Sequence, residues 1–279
     1  TNRYEYQYAL SGSYITTINI GENVERIPAH FAKNANHLSE VNISNSVTSI
    51  GDSAFWGMNG LTSIVLPNSI DSIGENAFNG CSNLTSITCN SDVAPVLGTN
   101  VFNNTPSNKE LIVSICNIDN YSSSNWSNYF NNIKGGNMGV LYKKDGLNNL
   151  SVVGTYENVN PLIIPSNVSC GNTSFNVTSI DDSAFYGRND LTSISLPNTI
   201  TSIGNHAFNG CSGLMIFAIP ENVSSIGEYA FNGCSGLNFV TIPNTITSIS
   251  NSTFRNCSNL ISVTIPNSVV SINDNAFNG

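Results

Sequence analysis

The chain has 279 residues, nine Lys and Arg against 18 Asp and Glu, and a net charge of -9. The clustered basic residues that phosphate neutralisation needs are missing, which excludes nucleic acid as a partner. No run of 18 apolar residues exists to span a membrane, and the N-terminal stretch lacks the charged start and apolar core of a signal peptide.

Only 10% of residues are charged, so Ser, Thr and Asn must dress most of the surface. Strand signatures open at Ile15, Leu38, Leu61 and Leu84 in the first half. With Ile50 as position 1 of a unit, the apolar set is Ile50, Ala54, Phe55, Leu61, Ile64, Leu66 and Ile70, and Ile73 begins the next unit 23 residues on. Leu61, Ile64 and Leu66 read as a short strand with alternate side chains inward, ended by Pro67, which withholds a ladder donor. Such strands should stack in parallel. Position 8 holds only Gly or Asn: Asn34, Gly57, Gly80, Gly187, Gly210, Gly233, Asn256 and Gly279. These residues tolerate positive φ, which predicts a short helical turn through Ala-Phe closed by a left-handed cap.

Phase is lost in the middle, because the spacing from Ile73 to Ile180 is not a multiple of 23. The first array decays through Phe102 and a strand near Leu111 to Cys116. An aromatic stretch follows, Tyr121, Trp126, Tyr129, Phe130 and Ile133, expected to form the core of a helical cap. Gly135-Gly136 marks the seam, giving residues 1–136 as a first array with its cap and 137–279 as a lead-in hairpin and second array. Val140 to Tyr142 and Leu150 to Tyr156 should pair around the Asp145-Gly146 turn, with the basic pair Lys143-Lys144 at a solvated hairpin tip. Leu162 to Val168 resumes the repeat, and a hairpin-like insertion containing Cys170-Gly171 interrupts it before Ile180. From there the units at Ile180, Ile203, Ile226, Ile249 and Ile272 run clean, and Gly279 falls inside a unit. That end, with Thr1 in place of a Met, is expected of a processed or trimmed product.

A period of this length with L-x-x-L-x-L inside it signals a β-rich leucine-rich-repeat solenoid, interrupted midway by an irregular segment. Such a fold presents a surface rather than a catalytic pocket.

Chemistry-bearing residues are sparse. The seven cysteines lack C-x-x-C pairs. Cys81, Cys211, Cys234 and Cys257 share one repeat position, and Cys211, Cys234 and Cys257, on neighbouring repeats, should form a ladder of reduced, buried thiols, with all seven cysteines titrating as free after denaturation. His30, His37 and His206 fall at unrelated repeat positions and in no paired-ligand spacing, which speaks against a metal site. Asp71, Asp181 and Asp182 read as carboxylates on solvated turns. No G-x-S-x-G elbow activates any of the serines. The expectation is therefore no catalytic residue, no metal and no cofactor. Sequons such as Asn42, Asn83, Asn167, Asn222 and Asn251 arise readily in a chain this rich in Asn, Ser and Thr.

The outward strand positions 13, 14 and 16 are more informative. They read Thr62, Ser63 and Val65 in one unit and Thr192, Ser193 and Ser195 in another, a bland hydroxyl-lined sheet. In the next three units four large apolar residues replace small polar ones: Met215, Ile216, Phe239 and Ile261. An outward apolar cluster marks an interaction site. The alternative is coverage by a C-terminal segment or by a second copy.

Segments such as Ser202-Ile203-Gly204 through Ala207-Phe208-Asn209-Gly210-Cys211, and Leu260 through Ile265-Pro266-Asn267-Ser268-Val269, resemble the BspA-like, or Treponema pallidum type, leucine-rich repeats. Leu111 to Ile133 is similar to the terminating segment of those proteins, although Ser114 stands where they place a proline, and Phe31-Ala32 reverses the usual order. Members of this family are surface-exposed or secreted proteins of host-associated bacteria and of some mucosal protozoa, several of them implicated in adhesion to host matrix proteins. The resemblance implies a non-catalytic extracellular or cell-surface module that binds a protein or glycoprotein, with a structural spacer or a glycan-binding accessory domain as alternatives. It implies a structural role for the ladder Phe55, Phe78, Phe185, Phe208, Phe231 and Phe254, and carries over no catalytic residue.

Overall fold

Alternation along each strand decides how a turn of this chain is built. The computed structural model describes residues 10, 13–146, 148–156 and 159–279; the remainder, including the first nine residues of the first array, lie outside the described residues. The chain divides into two compact units, Thr1–Gly135 and Gly136–Gly279.

In the first unit the inward residues of successive turns meet in parallel register. Strand Ser63–Leu66 pairs with Ser86–Cys89, placing Ile64 beside Ile87 and Leu66 beside Cys89, and Glu110–Ser114 follows. Thr17–Ile20 pairs with Glu40–Ile43 in the same sense. A second parallel sheet closes the other side of each turn, with Ile27, Ile50, Ile73 and Leu97 in line. Between the sheets Phe55, Phe78 and Phe102 stack with centroids 5.3 and 5.5 Å apart. Ala32 occupies the ladder position in the turn with the reversed order, and Phe31 meets Phe55 edge-on at 6.2 Å.

The aromatic stretch caps this unit. Ser114, in place of the proline, accepts the Cys116 N–H at 3.3 Å and turns the chain into a 3-10 segment and the short helix Ile118–Ser122. Tyr121 and Trp126 are fully buried, and each uses its polar atom to satisfy a backbone carbonyl, Tyr121 Oη to Ser91 at 2.9 Å and Trp126 Nε1 to Pro95 at 2.9 Å.

The second unit opens with the hairpin Val140–Lys144 and Asn149–Thr155. The latter runs parallel to Thr173–Ile180, which also pairs with the antiparallel strand Asn167–Cys170, turning at Gly171. Ser202–Ile203 and Ser225–Ile226 continue the stack. A second phenylalanine ladder runs from Phe185 through Phe208, Phe231 and Phe254 to Phe277, with spacings of 5.1 to 5.5 Å. Lys143 and Lys144 close the first strand of the hairpin instead of lying on its tip. Lys143 reaches Asp181 at 3.8 Å, and Lys144 lies over the Phe175 ring.

Linked tight turns replace the expected helical turn through Ala-Phe. Gly57, Gly80, Gly187, Gly210 and Gly233 do adopt positive φ, between 72° and 79°. A second left-handed residue, at position 4, was not expected: His30, Ser53, Asn76, Ser183, His206, Tyr229 and Ser252 have φ between 53° and 59°. The two kinks aim alternate N–H groups at the following turn. Ser53, Phe55 and Gly57 donate to the carbonyls of Glu75, Ala77 and Asn79 at 2.8 to 2.9 Å. His30 and His206 therefore share a repeat position, contrary to the sequence reading, and what they share is backbone geometry.

Candidate functional site

Backbone satisfaction accounts for most residues that first suggested chemistry. Asp182 Oδ1 accepts the Asn205 N–H at 2.6 Å, and Asn205 Oδ1 accepts the Glu228 N–H at 2.8 Å, so these side chains tie one turn to the next. Asp52 does the same for Glu75. His206 stacks flat on Tyr229 at 4.9 Å with its Nδ1 2.8 Å from the Asn209 amide, and His37 packs against Tyr14. Among the described residues no group of three His, Cys, Asp or Glu side chains is placed to hold a metal, and no helix is long and apolar enough to cross a membrane.

The repeat cysteines are buried and free. Cys81, Cys211, Cys234 and Cys257 each donate Sγ–H to the carbonyl of a phenylalanine one turn back, at 3.1 to 3.2 Å. Burial pushes the Cys81 and Cys211 thiols up to about 12 and Cys257 to about 11. They are poor nucleophiles, because the thiolate is the reactive form. The expectation of seven free thiols is overturned by Cys116 and Cys170, which are disulfide-bonded. Both lie outside the repeat position, after a strand and at a hairpin turn, and are half-buried where the repeat cysteines are buried.

The outer face of the second unit carries the candidate surface. Strand alternation turns Phe217, Ile219, Val240 and Ile242 inward, where Phe217 packs between Phe208 and Phe231 at 5.2 and 4.9 Å. Their neighbours must then face solvent. Met215 is 57% exposed, Ile216 76%, Phe239 63% and Ile261 77%. The Met215 N–H bonds the Thr192 carbonyl and the Ile261 N–H bonds that of Asn238, so these residues stand on stacked turns. Ser193 bridges to Ile216, and Phe239 pairs with Ser262. A fifth member escaped the sequence reading: Ile163, 70% exposed, one strand before Ser195 on the same face. Leu162-Ile163-Ile164-Pro165 matches Ile194-Ser195-Leu196-Pro197 in pattern, a signal hidden by the hairpin between them. A hollow of about 370 Å³ lies among Pro161, Ile163, Ser193, Ser195, Ile216 and Ala218.

Comparison with known proteins adds the relationship. The family model described as the BspA type leucine-rich repeat region matches residues 5–131 and 158–279, in six copies. No curated protein matches the chain. Among solved structures, a leucine-rich cell surface protein from Faecalibacterium prausnitzii A2-165 is 24% identical over 90% of this chain, with a TM-score of 0.39; the chain spans 59% of its length. The T. pallidum leucine-rich repeat protein is 18% identical over 93% of this chain and 73% of its own, with a TM-score of 0.33. The pneumococcal vaccine antigen PcpA is 18% identical over 92% of this chain and 67% of its own, with a TM-score of 0.37. Matched in both units by one repeat model and built from stacked turns of that period, the chain belongs to the BspA-type leucine-rich-repeat family.

Proposed function

We propose that the chain is a non-catalytic extracellular or cell-surface module that binds a protein or glycoprotein, such as a host matrix or mucosal component, through its second unit. The observation that carries the reading is the cluster of Met215, Ile216, Phe239 and Ile261 on successive turns of one outer face, with Ile163 on the same face across the strand of Ser193 to Ser195. Soluble proteins rarely leave such a cluster facing water without a partner, and aromatic and aliphatic anchors dominate interfaces. The disulfide bonding of Cys116 and Cys170 supports an oxidising compartment.

Replacing Phe239 by Ser tests it, because Ser193 and Ser262 already occupy the equivalent position. An exposed side chain contributes little to folding, so stability should shift by no more than about 0.5 kcal/mol. Binding to immobilised matrix and mucin glycoproteins should fall at least tenfold, about 1.4 kcal/mol. Unchanged binding, or no binding by the parent chain, would leave the protein a spacer.

A further inference from the structure

The outer face is not evenly apolar, and its gap is more specific than its bulk. Three adjoining strands build it: Leu162–Ile163, the strand of Ser193 to Ser195, and the one carrying Ile216. Ile163 and Ile216 rise from the outer two. Ile163 lies beside Ser195 and Ile216 beside Ser193, so the two isoleucines stand diagonally across the middle strand, two residues out of register, on outer strands roughly 9 to 10 Å apart, and the two serines floor the trough between them. Its rim and floor are Pro161, Ile163, Ser193, Ser195, Ile216 and Ala218, none of them ionisable. Neither serine hydroxyl has a side-chain partner among the described residues, and Ser193 is half-buried.

Charge restricts the occupant. The chain carries -9, and residues 136–279 hold four Lys and Arg against eight Asp and Glu. The charges adjoining the trough, Arg188 and Asp190, pair with each other at 2.7 Å and cancel, which leaves the unit's acidic excess as the net field. A neutral trough in a net acidic field repels acidic ligands and anionic lipid surfaces beyond contact range and draws in basic ones. Apolar walls reward burial of a hydrocarbon side chain, and the free hydroxyls can pair with the amide and carbonyl groups beside it. We infer that the trough over Ser193 and Ser195 is a socket for one aliphatic or aromatic side chain of a positively charged protein segment. This rests on reading the outer face as a protein-binding surface, and deepens it by naming the anchor and the charge of the partner.

Random linear peptides displayed and selected on the immobilised full chain test the inference. Enriched peptides should carry a central Leu, Ile, Val or Phe flanked by Lys or Arg, and should weaken as salt is raised. They should bind at least tenfold less tightly to Ser193→Phe, which fills the trough with the residue that Phe239 already presents at the same repeat position and so keeps the fold, as an unchanged melting curve would show. Acidic consensus peptides, the absence of any enriched peptide, or affinity indifferent to Ser193→Phe would overturn the socket. The two readings separate in the comparison with Phe239→Ser. Loss of binding in Phe239→Ser alone leaves the wider face standing without the socket, whereas loss in Ser193→Phe alone supports the socket and removes only Phe239 from the binding surface.

Discussion

Each turn kinks left-handed twice, and the two kinks are occupied on different terms. At position 8 Gly210 has φ of 79° and an added Cβ would touch only Gly187 atoms at ordinary distances, so the cost of a side chain there is conformational. Gly210→Ala should lose about 1 to 2 kcal/mol in urea denaturation, and Gly210→Asn less, since Asn34 and Asn256 already adopt the geometry. Ser183, exposed and held at φ of 57°, is the converse case. Ser183→Gly should stabilise the chain by about 0.5 to 1 kcal/mol, as relief of the left-handed penalty outweighs the entropy of the freer unfolded chain. A destabilised Ser183→Gly would mean that the kink is not strained. Sequence betrays the first kink through its Gly and Asn monopoly and conceals the second. His30, Ser53, Asn76 and Tyr229 share no side-chain property, because hydrogen bonds to the following turn impose φ there.

The cap of the first unit shows the same division between side-chain and backbone information. Its aromatic content is visible in the sequence, as are the period-two strands at Leu61, Ile64 and Leu66, because both depend on burying apolar surface. What the sequence does not display is that Trp126 closes the array with a hydrogen bond as well as a ring, since its acceptor, the Pro95 carbonyl, belongs to an earlier turn. Trp126→Ala would leave a void beside Phe102 and Phe130 and strip that carbonyl of its donor. A loss of about 3 to 5 kcal/mol is expected, with hydrogen exchange accelerated across the first unit. A loss under about 1 kcal/mol would show that the stack closes without its cap. Ile163 stayed hidden for a related reason: its strand partner lies beyond a hairpin, so periodicity does not connect them.

Across the whole molecule the free thiols set an alkaline limit. The folded chain holds protons on Cys81, Cys211 and Cys257 up to pH 11 to 12, and on Cys89 and Cys234 above the usual range, whereas an unfolded chain releases them near 9.0. Protons bound more tightly in the fold mean stability that is whole below about pH 9 and falls as pH rises, by about 1.4 kcal/mol per unit for each thiol still protonated. The phenols of Tyr121 and Tyr142, raised by burial, add to the slope. Urea midpoints should therefore drop steeply above pH 9, and less steeply in Cys211→Ala; a flat profile would sink the argument. Denatured without reductant, the chain should titrate five thiols, the number found free.

Because each turn brings the backbone back to its starting point one strand further on, the gene inherits a unit of safe exchange. Unequal recombination between neighbouring segments that adds or removes whole turns keeps Phe208 over Phe185 and the Cys234 thiol on the Phe208 carbonyl, whereas a fraction of a turn breaks both contacts. The outward residues travel with the turn that bears them. A single duplication would set a second Met215-Ile216 pair beside the first, so this surface can widen by copying long before point substitution could rebuild it.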